Sequence, residues 1–305
     1  MQHSMDHFVV ACENFGLTIN KKKTEVIHQP SPGQSFHPPK IYVEETALAV
    51  VDKFTYLGSV ISQGVSIDAE IDARLAKASA SFGRLHHKVW QRPGITLNTK
   101  LKLYRAIIIP ALLYGCESWT VHARHAKKLN HFHTARLRKI LRINWMDKIP
   151  DTEVLSRASM PSMYTTLKLY QLRWAGHVSR MEDTRLPKQL LFGELKFGHR
   201  TQGGQKKRYK DSLKKSLKDF SINHRSWENM AQNRATWRTA TLKAAALFEE
   251  TRHKAAEIKR LERKSRSSTS SSSGATLSCP LCPRLFQAPI GLNSHMRAHA
   301  RTARR

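Results

Sequence analysis

The chain has 305 residues, with 52 Lys and Arg against 23 Asp and Glu, so its net charge is +29 and its pI is near 10.4. This length allows one or two domains with their own cores. So large a positive charge predicts an acidic partner, either nucleic acid phosphates or an acidic membrane surface. The longest apolar run, residues 106–115, is about half of the ~20 residues that span a membrane. We therefore expect nucleic acid, and neither a membrane nor a small-molecule substrate.

Cysteine usage indicates the compartment. Of four cysteines, Cys12 and Cys116 stand alone in apolar or mixed sequence, which is not a disulfide framework. The N-terminus has no basic flank before an apolar segment, so no signal peptide is evident. We predict an intracellular, nuclear protein in which these two thiols are buried.

The first 64 residues predict one helix followed by a small sheet. Residues 1–15 follow a helical period that ends at Gly16, with four side chains on one side: Met5, Phe8, Val9 and Cys12. Three β-rich runs follow, and a turn-forming loop, "QPSPGQSFHPP", interrupts them. They predict a short antiparallel sheet of at most four strands, which is too small to form a domain alone.

Four helices are predicted between Ser66 and Met181. The first carries apolar side chains at intervals of three and four: Ile67, Ile71, Leu75, Ala78, Phe82 and Leu85. The second is capped near Asn98 and contains Pro110, the third is "ARHAKKLNHFHTARLRKILR", and the fourth is "PSMYTTLKLYQLRWAGHVSRM". This helical region is expected to build its own core around four tryptophans: Trp90, Trp119, Trp145 and Trp174.

The last third of the chain is more basic and ends in a separate motif. An amphipathic helix with Leu213, Leu217 and Phe220 precedes one long helix from about Ser226 past Glu262. The fold class is thus α+β, mostly α. Five segments are predicted: a β-rich segment 1–64, a helical region 65–185, a basic helical extension 186–266, a flexible Ser-rich linker 267–274, and a zinc finger with a basic tail 275–305.

The motif near the C-terminus predicts a zinc site. Cys279 and Cys282 are two residues apart, twelve residues separate Cys282 from His295, and three separate His295 from His299. This is the spacing of a zinc ion held by two thiolates and two imidazoles. Phe286 and Leu292 occupy the two core positions of a ββα finger, residues 277–287 supply its hairpin, and Pro289 begins its helix. We expect Zn²⁺ as the cofactor.

This finger is a poor candidate for recognising bases. The helix positions that would contact bases carry Ala288, Gly291 and Ser294, which offer at most one ambiguous hydrogen bond. Basic side chains around the finger can still contact phosphates: Arg284, Arg297, Arg301, Arg304 and Arg305. We therefore predict binding to RNA or DNA that is largely independent of sequence.

The basic extension is the predicted main contact with nucleic acid. Its "GGQKKRYKDSLKKSLK" places a cluster of cations within a few turns: Lys206, Lys207, Arg208, Lys210, Lys214, Lys215 and Lys218. Tyr209 lies among them and could stack on an unpaired base. The alternative is a solvated amphipathic helix whose lysines only maintain solubility.

An ordered set of motifs resembles the C-terminal part of non-LTR (LINE-type) retrotransposon reverse transcriptases. The resemblance covers about residues 1–220 and rests on "FGLTINKKKTEVI", "FTYLGSVIS", "AEIDARLAKASASFGRL", "LYGCESWT" and "LRWAGHVSRM". It implies the end of a polymerase palm, a hairpin that grips the primer, and thumb and post-thumb helices. The catalytic Asp-Asp pair of that family is absent, because the chain contains no adjacent aspartates. The resemblance therefore implies a C-terminal fragment of an element's polyprotein without polymerase activity, in which Asp6, Asp52, Asp68 and Asp72 are cap or surface residues.

Two other sequence features suggest metal sites, and two other functions fit the zinc motif or the fragment. Pro150 and Asp151, with Glu194 and Lys196, mimic a metal-nuclease signature, but Asp151 is expected to cap a helix instead. The His-rich third helix could suggest a second metal site, but its mixture with Lys and Arg favours a solvated or phosphate-facing helix. A zinc-finger transcription-type regulator and a non-functional remnant open reading frame remain open.

Overall fold

A computed structural model describes residues 1–29, 37–64, 66–193, 208–269, 277–286 and 288–302. Within this part the chain is mostly helical with a few two-stranded sheets, which confirms the predicted fold class. Residues Met1–Glu249 form one compact unit and Glu250–Arg305 another. None of the described helices is long and apolar enough to cross a lipid bilayer.

The N-terminal segment contains helix α1 (Gln2–Asn14) and three separate two-stranded sheets. Strand β1 (Glu25–Val26) pairs in parallel with β4 (Ala49–Val50), whereas β2 (Tyr42–Val43) with β3 (Thr46–Ala47), and β5 (Lys53–Tyr56) with β6 (Ser59–Ser62), are antiparallel hairpins. The prediction of one antiparallel sheet is therefore wrong. The run "IYVEETALAVV" does not form one strand, because the chain turns at Glu44, whose φ is +54°, and pairs with itself.

These small sheets and α1 enclose a small N-terminal core. Val26, Ile41, Val43 and Leu48 are buried, and Met5, Val9 and Ile19 pack against them. Gly16 has the positive φ of +63° that ends a helix, as predicted. Phe8 was expected on the buried side of α1, but it is 56% exposed. The short strands cover only a narrow stripe of α1.

A buried ion pair joins the β5–β6 hairpin to the next helix, α2 (Asp68–Arg84). The Arg74 Nε donates to Glu70 Oε1 at 2.7 Å, and both side chains are 5% exposed. Each also contacts the hairpin: the Val60 amide donates to Glu70 Oε2 at 2.6 Å, and the Arg74 guanidinium donates to the Gly58 carbonyl at 2.6 Å. The extra hydrogen bonds compensate the desolvation of both charges.

The central helices form the first core. They are α2, a π-helical turn (His86–Trp90), α3 (Leu97–Leu103), a second π-helical turn (Tyr104–Ile108), α4 (Ile109–Leu113), α5 (Ala123–Leu141), α6 (Asp151–Arg157) and α7 (Met163–Ser179), with 3₁₀ turns at Cys116–Ser118 and Trp145–Asp147. The predicted apolar side of α2 packs into this core. Cys116 is buried in it, and Cys12 is buried in α1, as predicted. Trp90 and Trp119 are buried as expected, and Trp174 is half-buried. Trp145 is 85% exposed, so its assignment to the core is wrong.

The helix that was predicted to contain Pro110 is interrupted by the second π-helical turn. Proline has no N–H, and its ring clashes with the carbonyl four residues earlier in an α-helix. In the π-helical turn that precedes Pro110, hydrogen bonds span five residues in place of four. The Ile109 amide accordingly donates to the Tyr104 carbonyl. The cap also differs from the prediction: Thr96, and not Asn98, accepts a hydrogen bond from the Thr99 amide.

A second core forms where the C-terminal half of α7 meets the following helices. These are α8 (Leu186–Phe192), α9 (Tyr209–Asp219), α10 (Trp227–Gln232) and α11 (Arg234–Thr269). Leu213, Leu217 and Phe220 are buried here, as predicted. Trp237 packs so closely on α7 that a Cβ at Gly176 would lie 2.1 Å from its Nε1, which donates to the Leu172 carbonyl at 3.0 Å. Helix α7 contributes to both cores. The predicted domain boundary after residue 185 stays a prediction.

The single long helix predicted from Ser226 is two helices. Asn233 leaves the helical conformation, with ψ at 108°, and separates α10 from α11. Its Oδ1 accepts hydrogen bonds from the Ala235 and Thr236 amides, each at 3.0 Å, so Asn233 caps α11. Helix α11 ends at Thr269, inside the predicted linker, and residues 270–274 of that linker lie outside the described residues.

Candidate metal centre and nucleic-acid interface

The C-terminal motif has a hairpin followed by a helix. Strands β7 (Leu277–Ser278) and β8 (Leu285–Phe286) are antiparallel, and α12 spans Pro289–Thr302. The Cys279 amide donates to the Arg284 carbonyl at 3.0 Å, which closes the loop that carries both cysteines. His295 and His299 are four residues apart on α12, so both imidazoles project from one side of the helix toward that loop.

The four predicted ligands come together. The ligand atoms of Cys279, Cys282, His295 and His299 all lie within 4.8 Å of one another. The Cys282 Sγ is 3.1 Å from His295 Nε2, which is 2.9 Å from His299 Nε2. A tetrahedral zinc ion would separate such ligand atoms by about 3.3–3.8 Å, so side-chain shifts of a few tenths of an ångström would let the group hold the ion. Desolvation, His299 and Arg284 lower the pKa of His295, which favours the neutral imidazole that binds metal.

A very small core supports this group. The Phe286 ring lies 4.9 Å from the His295 ring, and Leu292 is half-buried. Gly291 lies against the Phe286 ring, where an added Cβ would be in ordinary van der Waals contact at 3.4 Å. So little apolar burial cannot stabilise a fold of this size alone. The arrangement suits a motif that a metal ion holds together.

The three finger positions that would contact bases differ in exposure. Ala288 and Ser294 are exposed, whereas Gly291 is half-buried against Phe286. Arg284 and Arg297 are exposed. The predicted phosphate contacts of Arg301, Arg304 and Arg305 lie outside the described side chains.

Helix α9 divides into an apolar side and a basic side. Leu213 and Leu217 are buried, and the lysine face, defined as Lys214, Lys215 and Lys218, is exposed. In the described part of the chain no carboxylate forms an ion pair with any of these three lysines. Lys206 and Lys207, which were predicted to contact nucleic acid, lie outside the described residues.

The residues at the start of α9 make more contacts with the rest of the protein than the lysine face does. The exposed Arg208 pairs with Asp211, and the half-buried Lys210 lies 3.5 Å from the Gly193 carbonyl oxygen. The Tyr209 ring is half-buried against the second core, and burial raises the pKa of its hydroxyl. Arg208, Tyr209 and Lys210 line a cavity of about 480 Å³ together with Trp174. Base stacking by Tyr209 stays a prediction.

The alternative metal sites are engaged in structural contacts. Asp151 begins α6 at its first residue, but the N-cap is Pro150, so the predicted capping role of Asp151 is wrong. Its carboxylate instead accepts from Arg138 at 2.7 Å, and Glu194 and Lys196 lie outside the described residues. In the His-rich α5, His125 bonds to Asp68, and the buried His133 bonds to Tyr104. Among the described residues, the finger holds the only group of three or more His, Cys, Asp or Glu side chains that could bind a metal.

Sequence reasoning missed one exposed feature. Trp145 lies on the solvent-exposed turn between α5 and α6. The signal that could have identified it is Asn144 followed three residues later by Asp147, a pair that forms a reciprocal capping box.

Comparison with known proteins gives three informative matches. An uncharacterised transposon-derived protein of Caenorhabditis elegans is 27% identical over 247 residues, which is 76% of this chain and 85% of that protein. A probable RNA-directed DNA polymerase from transposon X-element of Drosophila melanogaster is 19% identical over 144 residues, 47% of this chain and 16% of the polymerase. The RNA-directed DNA polymerase from mobile element jockey of Drosophila funebris is 22% identical over 116 residues, 38% of this chain and 13% of the polymerase. No family model and no solved structure matches the chain.

Proposed function

Because the chain is related to the reverse transcriptases of non-LTR mobile elements, as its motifs predicted, we propose that it is a zinc-binding protein that binds nucleic acid without strong sequence preference. The observation that carries this proposal is the exposed lysine face of α9, which has no acidic partner among the described residues. In an intact element such binding would serve to capture template or target, and it agrees with the nuclear location predicted from the sequence.

The packing of α9 fixes the direction in which the lysine face points. Leu213, Leu217 and Phe220 enter the second core. Two polar contacts to α7 add to this anchoring: the Ser216 hydroxyl donates to Gln171 at 2.7 Å, and Lys168 pairs with Asp219 at 2.6 Å. Three cations on a helix held in this way can neutralise neighbouring phosphates and release their counterions, which is favourable on any sequence.

Zinc is the metal that best suits the finger. Two thiolates and two imidazoles form a tetrahedral, soft ligand set that favours zinc over oxygen-seeking cations. When bound, the ion would hold the hairpin to α12 through Cys279, Cys282, His295 and His299. With Ala288, Gly291 and Ser294 at the base-contact positions, the finger would contribute phosphate contacts through Arg284 and Arg297.

We also propose that the chain does not synthesise DNA. Its sequence has no Asp-Asp pair. Two aspartates of α2 are engaged with cations, since Asp68 bonds to Arg124 and His125, and Asp72 bonds to Lys128. A hydrogen bond from Ser66, and then His125 and Arg124, lower the pKa of Asp68. Carboxylates committed in this way do not form the two-metal site of a polymerase.

Binding as a function of salt tests this proposal. We expect the triple variant Lys214→Ala, Lys215→Ala, Lys218→Ala to bind labelled oligonucleotides of different sequence less tightly and by similar factors. If all three lysines contact phosphates, the slope of log affinity against log salt should decrease by about 2 to 2.7. Fluorescence anisotropy between about 50 and 300 mM salt measures both quantities.

A matched variant separates local contacts from total charge. Lys22, Lys23 and Lys53 are exposed in the N-terminal segment, and replacing all three by Ala removes the same charge. This control should keep a slope close to that of the wild type. Equal effects of the two triple variants, or a wild-type protein that binds no nucleic acid, would contradict the assignment.

A further inference from the structure

The turn between α5 and α6 places a large aromatic side chain in solvent. Trp145 is 85% exposed and Met146 70%, whereas Trp90, Trp119, Trp227 and Trp237 are 3–6% exposed. Exposure of a whole indole forgoes the burial that normally stabilises tryptophan. The neighbouring Ile143 and Ile149 pack against the first core, so both ends of the turn are fixed.

Local hydrogen bonds define the turn. The Asn144 amide donates to Asp147 Oδ2 at 2.7 Å, and the two residues form a reciprocal capping box around the 3₁₀ turn. Arg142 and Lys148, on either side of it, have φ values of +57° and +50°, a conformation that non-glycine residues rarely adopt. A backbone that local contacts already define loses less conformational entropy when a partner binds.

Basic side chains flank this turn in the sequence and line the end of α5 that leads into it. Arg142 and Lys148 are exposed, and Lys139, Lys127 and His131 are exposed on α5. Positions 127, 131, 139 and 142 are separated by four, eight and three residues, so they lie along about 22 Å of α5 and reach the residue next to the turn. Within the described ranges, no carboxylate forms an ion pair with these residues. Asp147, the acid of the turn, is bound to the Asn144 amide.

We infer that Trp145 is a stacking platform for an unpaired base, and that Lys139 and Arg142 hold the adjoining phosphates of the same single strand. The inference rests on the proposed nucleic-acid binding and adds a second contact, at the turn between α5 and α6 and away from α9 in the sequence. An indole accepts any base on its face, and the flanking cations attract the backbone, which together suit a single strand. In a duplex the bases are already stacked, so Trp145 gains nothing there. The charge of the flanking basic side chains disfavours a mainly apolar partner.

The test compares Trp145→Ala in the full chain with the wild type, on oligo(dT) and oligo(U) of about 12 nucleotides and on a duplex. Affinity for the single strands should fall roughly tenfold, with an unchanged salt slope because no charge is removed. Affinity for the duplex should not change. The two single strands distinguish an RNA from a DNA ligand. Phe15→Ala is the matched control, since Phe15 is 81% exposed and lies far from Trp145 in the sequence.

Two further variants keep the result interpretable if Trp145→Ala is poorly folded. Trp145→Phe keeps a stacking ring and should retain most of the affinity, whereas Trp145→Leu keeps the apolar bulk and should lose it. If Trp145→Ala binds single strands like the wild type while the lysine-face variant is weakened, the platform is refuted and the proposed function stands. Equal losses of affinity for single strands and for the duplex would also refute stacking. A change in oligomeric state without a change in affinity would refute it too, and would make the turn an interface between copies of the chain. A wild-type chain that binds neither the single strands nor the duplex would refute both proposals.

Discussion

His133 shows how burial sets the chemistry of a single side chain. It is 1% exposed, and its Nδ1 lies 3.0 Å from the Tyr104 hydroxyl. Burial lowers the pKa of His133 to about 4, while the backbone of Pro161 and the charge of Glu249 act in the opposite direction. In the unfolded chain the pKa of histidine is about 6.5. Between these two values the unfolded state binds the proton and the folded state does not.

We therefore expect stability to fall as the pH falls from about 6.5 towards 4. Linkage predicts that His133 alone lowers the free energy of unfolding by about 2 kcal/mol between pH 7 and pH 5. In His133→Gln the protein should be less stable at pH 7, but its stability should depend less on pH in this range. Urea unfolding at several pH values measures this, with the exposed His224→Gln as the control. Parallel profiles for the wild type and His133→Gln would contradict the assignment.

Single residues also decide where the sequence-based prediction failed. Trp145 was assigned to the core from its hydrophobicity, but the Asn144–Asp147 capping box turns it outward. Asn233 and Thr96 each cap a helix through a local hydrogen bond that a periodicity argument does not include. These signals are short-range, so close attention to cap residues could have found them.

At the scale of elements, the C-terminal Cys/His motif was the most predictable part. Its ligands, hairpin and helix are set by spacings within 21 residues, and the described structure brings all four ligands together. Helix α2 was equally clear, because its apolar side chains follow one period without interruption. The pairing of β1 with β4 could not be predicted in this way, since it joins Glu25 to Ala49 through contacts that no local pattern specifies. The fit of Trp237 against Gly176 is likewise long-range.

The finger also gives a prediction at this scale. Removing one zinc ligand should cost more than the 10- to 100-fold that loss of a supporting residue typically costs, so we expect Cys282→Ala to bind zinc more than about a hundredfold more weakly. Metal content and zinc titration of the purified full chain measure this. His224→Ala removes an exposed imidazole outside the group and should bind one zinc ion like the wild type. Wild-type zinc affinity in Cys282→Ala would show that the ligands are wrongly assigned.

For the whole molecule, two cores share helix α7. Met163 and Leu167 belong to the first core, and Leu172 and Ala175 belong to the second. Glu249 of α11 accepts hydrogen bonds from the Ser162 amide at 3.0 Å and hydroxyl at 2.7 Å, so its carboxylate caps the start of α7. The helical region and the basic extension are therefore joined along one helix, and α9 presents its lysines from a packed scaffold.

This scaffold leads to the last prediction, which concerns catalysis. The two Drosophila polymerases are many times longer than their match to this chain, which spans 16% and 13% of their lengths. Strand synthesis requires two metal ions held by carboxylates beside the primer end. This chain has no Asp-Asp pair, and the one group in its described part that could hold a metal ion is made of cysteine and histidine. We expect the purified chain to extend no primer on an RNA or DNA template, with Mg²⁺ or Mn²⁺, while still binding the template. A gel-based extension assay beside an active reverse transcriptase measures this. Template-dependent incorporation that follows the protein through gel filtration would overturn the prediction, and it would require a carboxylate site formed by residues now assigned to ion pairs, such as Asp68 and Asp72.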